Sequence, residues 1–421
     1  MSDQKCSFCD RPANEVKFLI SPNSDTGPFI CNRCNDTVTQ AYANSAKKQN
    51  SEAPQEDLPL KTPKEIVDFL DQYVISQPRA KSDMAVAVYN HFKRRRVNSR
   101  TTIEVDGTQE PVEIEKSNIL LLGPSGTGKT HIARTLARML NVPFHVADAT
   151  KLTQAGYVGD DVESVLQGLL QAADGDVQKA QWGIVFIDEI DKLARKSGRA
   201  TAGFRDVSGE GVQQALLKLL EGTRVSVQKS NKNGMAVYEV VDTTNILFIC
   251  AGSFAGIEEI IEKRVHRHAR NIGFGSEHVG KSKLDLTQIY LTATEDDILE
   301  FGFIPELVGR LPVLTTTVEL SEEDLIRVLT EPKNSITKQF RALFGLDGIS
   351  LIFSEESLRA LAKSARSKAT GARALRSVVE AALKKASFDA PGSQIESILV
   401  TDQTAEGGDP IYTHRTSQAA L

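Results

Sequence analysis

Residues 123–130 read Gly-Pro-Ser-Gly-Thr-Gly-Lys-Thr and directly follow the apolar run 118–122. A G-x-x-x-x-G-K-[ST] segment after a strand is typical of a loop that cradles nucleotide phosphates, although a glycine-rich turn can match by chance. Its glycines turn backbone N–H groups toward phosphate oxygens. Lys129 supplies positive charge to the β- and γ-phosphates, and Thr130 offers a hydroxyl to Mg²⁺. The predicted ATP-binding residues here are Gly123, Pro124, Ser125, Gly126, Thr127, Gly128, Lys129, Thr130 and His131.

Two carboxylates close a second apolar run, 183–187, about 60 residues after this loop. A run of this kind indicates a strand buried on both faces of a parallel sheet, and ligands bind at the carboxyl ends of such strands. Asp188 would therefore hold Mg²⁺, and Glu189 would be the base that activates the attacking water. The alternative is a solvated acidic loop after a core strand.

Four of the five cysteines form two C-x-x-C pairs, Cys6 with Cys9 and Cys31 with Cys34. This spacing favours a four-thiolate zinc site, which would be structural because four protein ligands close the coordination shell. Two free thiol pairs or a redox site are the alternatives. The fifth, Cys250, lies in an apolar run and is predicted to be a core residue.

The segments that must position these groups alternate between strands and helices from about residue 65 to 317, which predicts an α/β fold with a parallel sheet. The phosphate loop opens a helix whose apolar residues fall on one face. From about 318 the pattern becomes mainly helical, with a capping signal at Ser321 and short strands near 349–353 and 398–401.

These patterns predict four regions. They are a zinc-binding module (1–43), a flexible linker rich in polar residues and proline (44–64), a large ATPase domain (65–317) and a small, mainly helical lid domain (318–421). The last dozen residues are predicted to be frayed.

Composition narrows the functional class. The net charge of −5 argues against general binding to nucleic acid. The sequence contains no apolar run long enough to span a membrane and no apolar signal region at its start. We therefore expect a cytoplasmic protein with reduced thiols, which agrees with a metal site rather than disulfides.

Together these residues resemble the ClpX family of ATP-driven AAA+ protein unfoldases, and the resemblance covers nearly the whole chain. The motifs that carry it, besides those above, are Tyr73-Val-Ile-Ser-Gln77, residues 205–211, Ile272-Gly-Phe-Gly275, Phe303-Ile-Pro-Glu306, Gly309-Arg-Leu-Pro312 and Thr370-Gly-Ala-Arg373. The resemblance implies an AAA+ P-loop domain, a lid and a zinc module in a homohexamer that uses ATP, Mg²⁺ and Zn²⁺.

The resemblance also assigns residues near the nucleotide. Arg310 would reach the γ-phosphate of a neighbouring subunit, Arg373 would sense nucleotide in its own subunit, and Val74 and Ile75 would pack near the adenine. Without the resemblance, the residues favour simpler roles. Arg310 would cap a helix, and Arg373 would neutralise charge on the surface.

Two loops are assigned in the same way. Tyr157 and Val158, between glycines, would grip polypeptide in the pore. Ile272, Gly273 and Phe274 would dock on the peptidase ClpP. The alternative for the first loop is that Tyr157 is an aromatic residue in an ordinary turn. The alternative for the second is that Phe274 folds back on its own domain.

Two departures from the family pattern stand out. Residues 227–235 lack the Arg-Lys-His triplet of the family's pore entrance, and Ser76 replaces a glycine. The resemblance implies an unfoldase that delivers tagged proteins to ClpP, with zinc modules that pair and receive adaptors. A stand-alone remodeller of protein complexes and a DNA-acting AAA+ motor are the alternative functions.

Overall fold

The computed structural model describes residues 5–21, 28–39, 60–98, 103–105, 108–110, 114–153, 160–195, 209–229, 237–270, 286–368 and 371–415. The chain divides into two compact units, Met1–Pro59 and Leu60–Leu421. The first carries the four paired cysteines, and the second carries both ATP motifs and Cys250.

The first unit is built around its thiols. A 3-10 turn at Ala13–Glu15 precedes strands β1 (Leu19–Ile20) and β2 (Ile30–Cys31), which pair antiparallel, and helix α1 (32–39) follows. Cys6 and Cys31 are fully buried, whereas the side chain of Phe8 is 68% exposed. The buried centre of this small unit is therefore a sulfur cluster, which leaves part of the folding energy to a bound metal.

A five-stranded parallel sheet organises the second unit, which confirms the predicted α/β fold. Its strands are β5 (Ile119–Leu122), β6 (Phe144–Asp148), β9 (Ile184–Asp188), β12 (Leu247–Gly252) and β13 (Val313–Thr316). Their order across the sheet is β13-β5-β12-β9-β6. Both ATP motifs follow interior strands, so the sheet order brings the phosphate loop and the acidic pair to the same edge.

Successive residues of these strands face opposite apolar cores. Ile119 and Leu121 belong to one core, and Leu120 and Leu122 belong to the other. The helices of the large domain are α2 (Pro63–Asp71), α3 (Pro78–Asn98), α4 (Lys129–Leu140), α5 (Ser164–Ala172), α6 (Val177–Ala180), α7 (Glu210–Glu221), α8 (Ile257–Arg270), α9 (Leu286–Leu291), α10 (Glu295–Phe301) and α11 (Pro305–Gly309). Residues of α2, α3 and α4 fill the first core, and residues of α5, α7, α8, α10 and α11 contribute to the second.

Three two-stranded sheets lie outside the five-stranded sheet in the described part of this domain. They are β3 (Ile103–Val105) with β4 (Thr108–Glu110), β7 (Leu152–Thr153) with β8 (Asp160–Asp161), and β10 (Arg224–Lys229) with β11 (Val237–Asp242). In the part of the chain that the structure describes, no helix combines the length and apolar character of a membrane span.

Helix α2 begins before the predicted end of the linker at residue 64. Helix α2 starts at Pro63, and the Thr62 side chain accepts a hydrogen bond from the Glu65 N–H while the Glu65 carboxylate accepts one from the Thr62 N–H. This capping box, with proline at the first helical position, is a strong helix start. The last residues of the predicted linker therefore belong to the folded unit.

The small domain has its own core and sheet. Its helices are α12 (Glu322–Thr330), α13 (Ile336–Leu346), α14 (Glu355–Ser367), α15 (Arg373–Asp389) and α16 (Asp402–Ala405), and its strands are β14 (Ser350–Phe353), β15 (Ile395–Val400) and β16 (Ile411–His414). Ser321 forms the predicted capping box, with Asp324. The prediction of a frayed final dozen residues is wrong for 411–414, because β16 pairs antiparallel with β15.

Candidate functional site

The phosphate loop takes the backbone shape that its glycines predict. Gly123 (φ +144°) and Gly128 (φ +95°) have conformations that favour glycine. A Cβ atom on Gly123 would also collide with Thr317. The loop therefore lies directly against the segment that joins the large domain to the lid.

The predicted magnesium ligands meet at the sheet edge. The Thr130 hydroxyl donates to Asp188 Oδ2 at 3.1 Å, and the backbone N–H of Glu189 donates to Asp188 Oδ1 at 3.0 Å. A hydroxyl and a carboxylate are the hard oxygen donors that Mg²⁺ prefers, so this pair fits the ion. The Glu189 side chain is exposed at the same edge, where a water could reach it.

Lys129 lies inside the loop and points at its carbonyl groups. Its Nζ donates to Gly123 O at 2.6 Å and to Pro124 O at 2.9 Å. Burial lowers the pKa of Lys129 to about 8; the nearby Asp188 opposes this shift and the nearby Arg373 adds to it. Because pH 7 lies below that pKa, the amine is mainly protonated and can bind phosphate.

A cavity of about 320 Å³ opens beside the loop, between the large domain and the lid. Its apolar lining includes Val74 and Ile75, which are 5% and 6% exposed. Residues of the phosphate loop line it as well, and the lid contributes Leu320, Val328 and Ile336. A cavity that combines apolar side chains with a phosphate loop suits a nucleotide.

Lid residues contact the loop directly. The Ala372 N–H donates to Gly126 O at 3.3 Å, and Arg373 Nη1 donates to Ser125 Oγ at 3.4 Å. Arg373 thus contacts the phosphate loop from the lid. Its sequence-based assignment as a nucleotide-contacting residue of its own subunit stays a prediction that this geometry supports.

His131 also lines the cavity. Its Nε2 lies 3.3 Å from the Tyr73 carbonyl oxygen, and burial lowers its pKa, so the ring is mainly neutral at pH 7. His131 therefore ties helix α4 to the segment that carries Val74 and Ile75 instead of adding charge at the phosphates.

Sequence reasoning missed the role of Gln77, which is 1% exposed. Its side chain donates to Val318 O at 2.7 Å and accepts from Val318 N at 2.8 Å. Gln77 and Ser76 both have positive φ, +63° and +58°. Serine at position 76 thus adopts the backbone shape that glycine adopts more readily, and the departure from the family pattern leaves this contact intact.

Arg310 is far from its own phosphate loop. Its carbonyl accepts from Asn118, just before β5, whereas the loop begins at Gly123, just after β5. The five-residue step between them spans about 16 Å in a strand, longer than an arginine side chain. The exposed guanidinium pairs with Glu221 on α7, with an Nη2–Oε1 distance of 3.0 Å.

The four paired cysteines come together in the first unit. Their Sγ atoms all lie within 4.8 Å of one another, and Cys9 Sγ is 3.7 Å from Cys31 Sγ. Tetrahedral zinc with Zn–S bonds near 2.3 Å separates its sulfur atoms by about 3.8 Å, so the cluster fits zinc. The fifth, Cys250, is fully buried in β12, as predicted for a core residue.

The surroundings shift the pKa values of two of these thiols in opposite directions. Burial raises the pKa of Cys6, but hydrogen bonds from the backbone of Phe8, Cys31 and Cys9 outweigh it and lower the pKa to about 6. The hydrogen bond with Cys9 raises the pKa of Cys34 to about 12. Zinc would replace the thiol protons and hold all four sulfurs as thiolates.

Removing zinc should unfold residues 1–40 and leave basal ATPase activity, because the four clustered cysteines and the ATP motifs lie in separate compact units. Chelation followed by metal analysis, circular dichroism and an ATPase assay measures both effects. Cys6→Ala should act like chelation, and the matched Cys250→Ala should keep its zinc. A folded first unit in freshly purified, metal-free protein would contradict this prediction.

Several predicted residues lie outside the described part of the chain. They are Tyr157 and Val158 of the predicted pore loop, and Ile272, Gly273 and Phe274 of the predicted docking loop. Residues 230–236 of the predicted pore-entrance segment are outside it as well. Their roles stay predictions.

Family models match three parts of the chain. Residues 4–42 match the ClpX C4-type zinc finger, residues 114–314 match the AAA domain (Cdc48 subfamily), and residues 320–394 match the C-terminal, D2-small domain of ClpB protein. The zinc finger match covers all four clustered cysteines, and the AAA match covers both ATP motifs. The predicted cofactors are therefore confirmed as Zn²⁺ and ATP with Mg²⁺.

Similar proteins span nearly the whole chain. The ATP-dependent Clp protease ATP-binding subunit ClpX of Treponema denticola is 46% identical over 404 residues, 96% of this chain and 94% of the relative. The protein of the same name from Azotobacter vinelandii is 46% identical over 92% of this chain and 86% of the relative. ClpX 3 of Methylococcus capsulatus is 42% identical over 99% of this chain and 96% of the relative.

An ATP site between two domains, a four-thiolate zinc finger and similarity along almost its entire length agree with one another. The chain belongs to the ClpX family of AAA+ ATPases.

Proposed function

We propose that this ATPase unfolds tagged proteins, translocates them through the pore of a homohexamer and delivers them to the ClpP peptidase. The observation that carries the proposal is near full-length similarity to proteins named as ATP-binding subunits of the Clp protease. Adaptor proteins are further expected partners, received by the zinc module.

The ATP site supports specific roles. Lys129 and the loop amides bind the phosphates, Thr130 and Asp188 hold Mg²⁺, and Glu189 deprotonates the attacking water. Bound Mg²⁺ neutralises charge on the phosphates. Val74 and Ile75, which line the same cavity as the phosphate loop, form the apolar contact for the adenine.

The position of the lid would couple ATP binding and hydrolysis to movement of the lid relative to the large domain. Arg373 approaches Ser125 from the lid, so a nucleotide in the cavity would contact both domains.

We assign the zinc module to 1–43, the ATPase domain to Pro63–317 and the lid to 318–421. The separate apolar core of residues 320–400 supports the last boundary.

Degradation of a tagged fluorescent protein, with and without ClpP, tests the proposal. Wild-type protein should unfold the substrate with ATP alone and destroy it only with ClpP. Phe274→Ala should lose degradation and keep unfolding, because one aromatic anchor can carry about 2 kcal/mol or more at an interface.

Three outcomes would contradict this scheme. Equal loss of both activities in Phe274→Ala would mean that this residue serves the fold. Unfolding without degradation in the wild type would favour the stand-alone remodeller. ATPase stimulation by DNA, without stimulation by unfolded protein, would favour the DNA-acting motor.

A further inference from the structure

A buried carboxylate two residues after the acidic pair Asp188–Glu189 has no part in the scheme above. Asp191 lies in the 3-10 turn Ile190–Leu193, and its side chain is 4% exposed. Its Oδ1 accepts from Ser253 N and its Oδ2 accepts from Ser253 Oγ, both at 3.1 Å. Lys192 Nζ lies 3.5 Å from Oδ2. A buried carboxylate needs such donors, and Ser253 supplies two of them.

These hydrogen bonds join the ends of two neighbouring strands. Asp191 follows β9 and Ser253 follows β12, and the two strands pair in parallel with Ile187 opposite Cys250. The approach is so close that a Cβ atom on Gly252 would collide with Asp191 Oδ1. The turn after β9 is therefore fastened to a rigid part of the sheet.

The fastened turn begins at Glu189, which has an unusual backbone. Its φ of +57° and ψ of +32° are left-handed, a conformation that costs free energy for a residue with a Cβ atom. Glu189 O accepts from Lys192 N at 3.0 Å, across the turn that contains Asp191. Unfavourable conformations of this kind persist where surrounding contacts enforce them, and they cluster at active sites.

We propose that Asp191 and Ser253 are positioning residues that hold the Glu189 backbone so that its carboxylate meets the attacking water. This inference rests on the proposed role of Glu189 as the base. Neither residue needs to touch ATP, because their contact acts through the three-residue link from Asp191 back to Glu189.

Two variants weaken the contact in different ways. Ser253→Ala removes one donor. Gly252→Ala deletes no polar group but displaces the Asp191 carboxylate and also presses on the buried ring of Phe254, so its melting temperature is measured beside its kcat. Each should lower kcat, by about 10- to 100-fold for a displacement near 1 Å, while the Kd for ATP stays within about twofold. Ser253→Thr keeps the hydroxyl and should retain most of the activity. Gly345→Ala is the matched control, because a Cβ atom there meets nothing within 4 Å.

Combination with Glu189→Gln separates positioning from a general structural effect. If Asp191 and Ser253 act through Glu189, Ser253→Ala should cause no further loss of the slow residual hydrolysis in that background. The same fold loss in both backgrounds would overturn the inference, as would unchanged kcat in both single variants or loss of ATP binding in parallel with kcat. Normal turnover of Glu189→Gln alone would instead remove the proposed base itself.

Discussion

Glu189→Gln is expected to bind ATP normally and to lose turnover by about 10²- to 10⁴-fold, the usual contribution of a positioned general base. Glutamine keeps the shape of the side chain but cannot accept the proton of the attacking water. The ligands for Mg²⁺ and phosphate, Asp188, Thr130 and Lys129, are left in place. Nucleotide binding by fluorescence and single-turnover hydrolysis measure the two effects separately.

Two controls make this result specific. Glu259→Gln makes the same chemical change on the exposed surface of helix α8 and should leave both nucleotide binding and turnover at the wild-type level. Asp188→Asn removes a Mg²⁺ ligand and should weaken binding itself, unlike Glu189→Gln. If Glu189→Gln turned over ATP at the wild-type rate with nucleotide bound, the base would have to be another group.

Local sequence signals predicted most of the fold and the centre of the ATP site. Residues 119–122, before the phosphate loop, and residues 184–187, before Asp188, are apolar at every position, which marks strands buried on both faces. Their motifs then fix which edge of the sheet binds phosphate. The zinc cluster could be predicted equally well from the sequence, because C-x-x-C spacing restricts how the four thiols can meet.

Two predicted boundaries were wrong, although the sequence contains signals for the correct ones. Proline and polar residues suggested a linker up to residue 64, although Thr62, Pro63 and Glu65 together form a helix start. The segment Ile411-Tyr-Thr-His414 is rich in residues that favour strands, but its place in the sheet depends on pairing with β15.

The contacts made by Gln77 and by Asp191 could not be predicted from the chain alone. Gln77 bonds to Val318, 241 residues away, and Asp191 bonds to Ser253, 62 residues away. The first pair depends on which strand helix α3 packs against, and the second depends on which strands lie side by side. No local periodicity encodes either arrangement.

Arg310→Ala is expected to bind ATP and to lose hydrolysis by about 10³-fold, the lower end of what an arginine acting on the transferred phosphate contributes. The sheet places Arg310 at the edge opposite its own phosphate loop, so its target would be the ATP of a neighbouring subunit. Its pair with Glu221 is exposed and worth at most about 1 kcal/mol. A neighbouring subunit can therefore release the guanidinium at little cost.

Mixing two inactive variants tests this trans arrangement directly. Arg310→Ala subunits keep Glu189, and Glu189→Gln subunits keep Arg310, so mixed rings contain interfaces at which both groups are intact. ATPase activity should therefore reappear on mixing, although neither variant is active alone. The double variant Glu189→Gln/Arg310→Ala, mixed with either single variant, is the control and should restore nothing, since no interface then combines both groups. No recovery in rings shown to contain both single variants would mean that Arg310 acts within its own subunit or supports the fold.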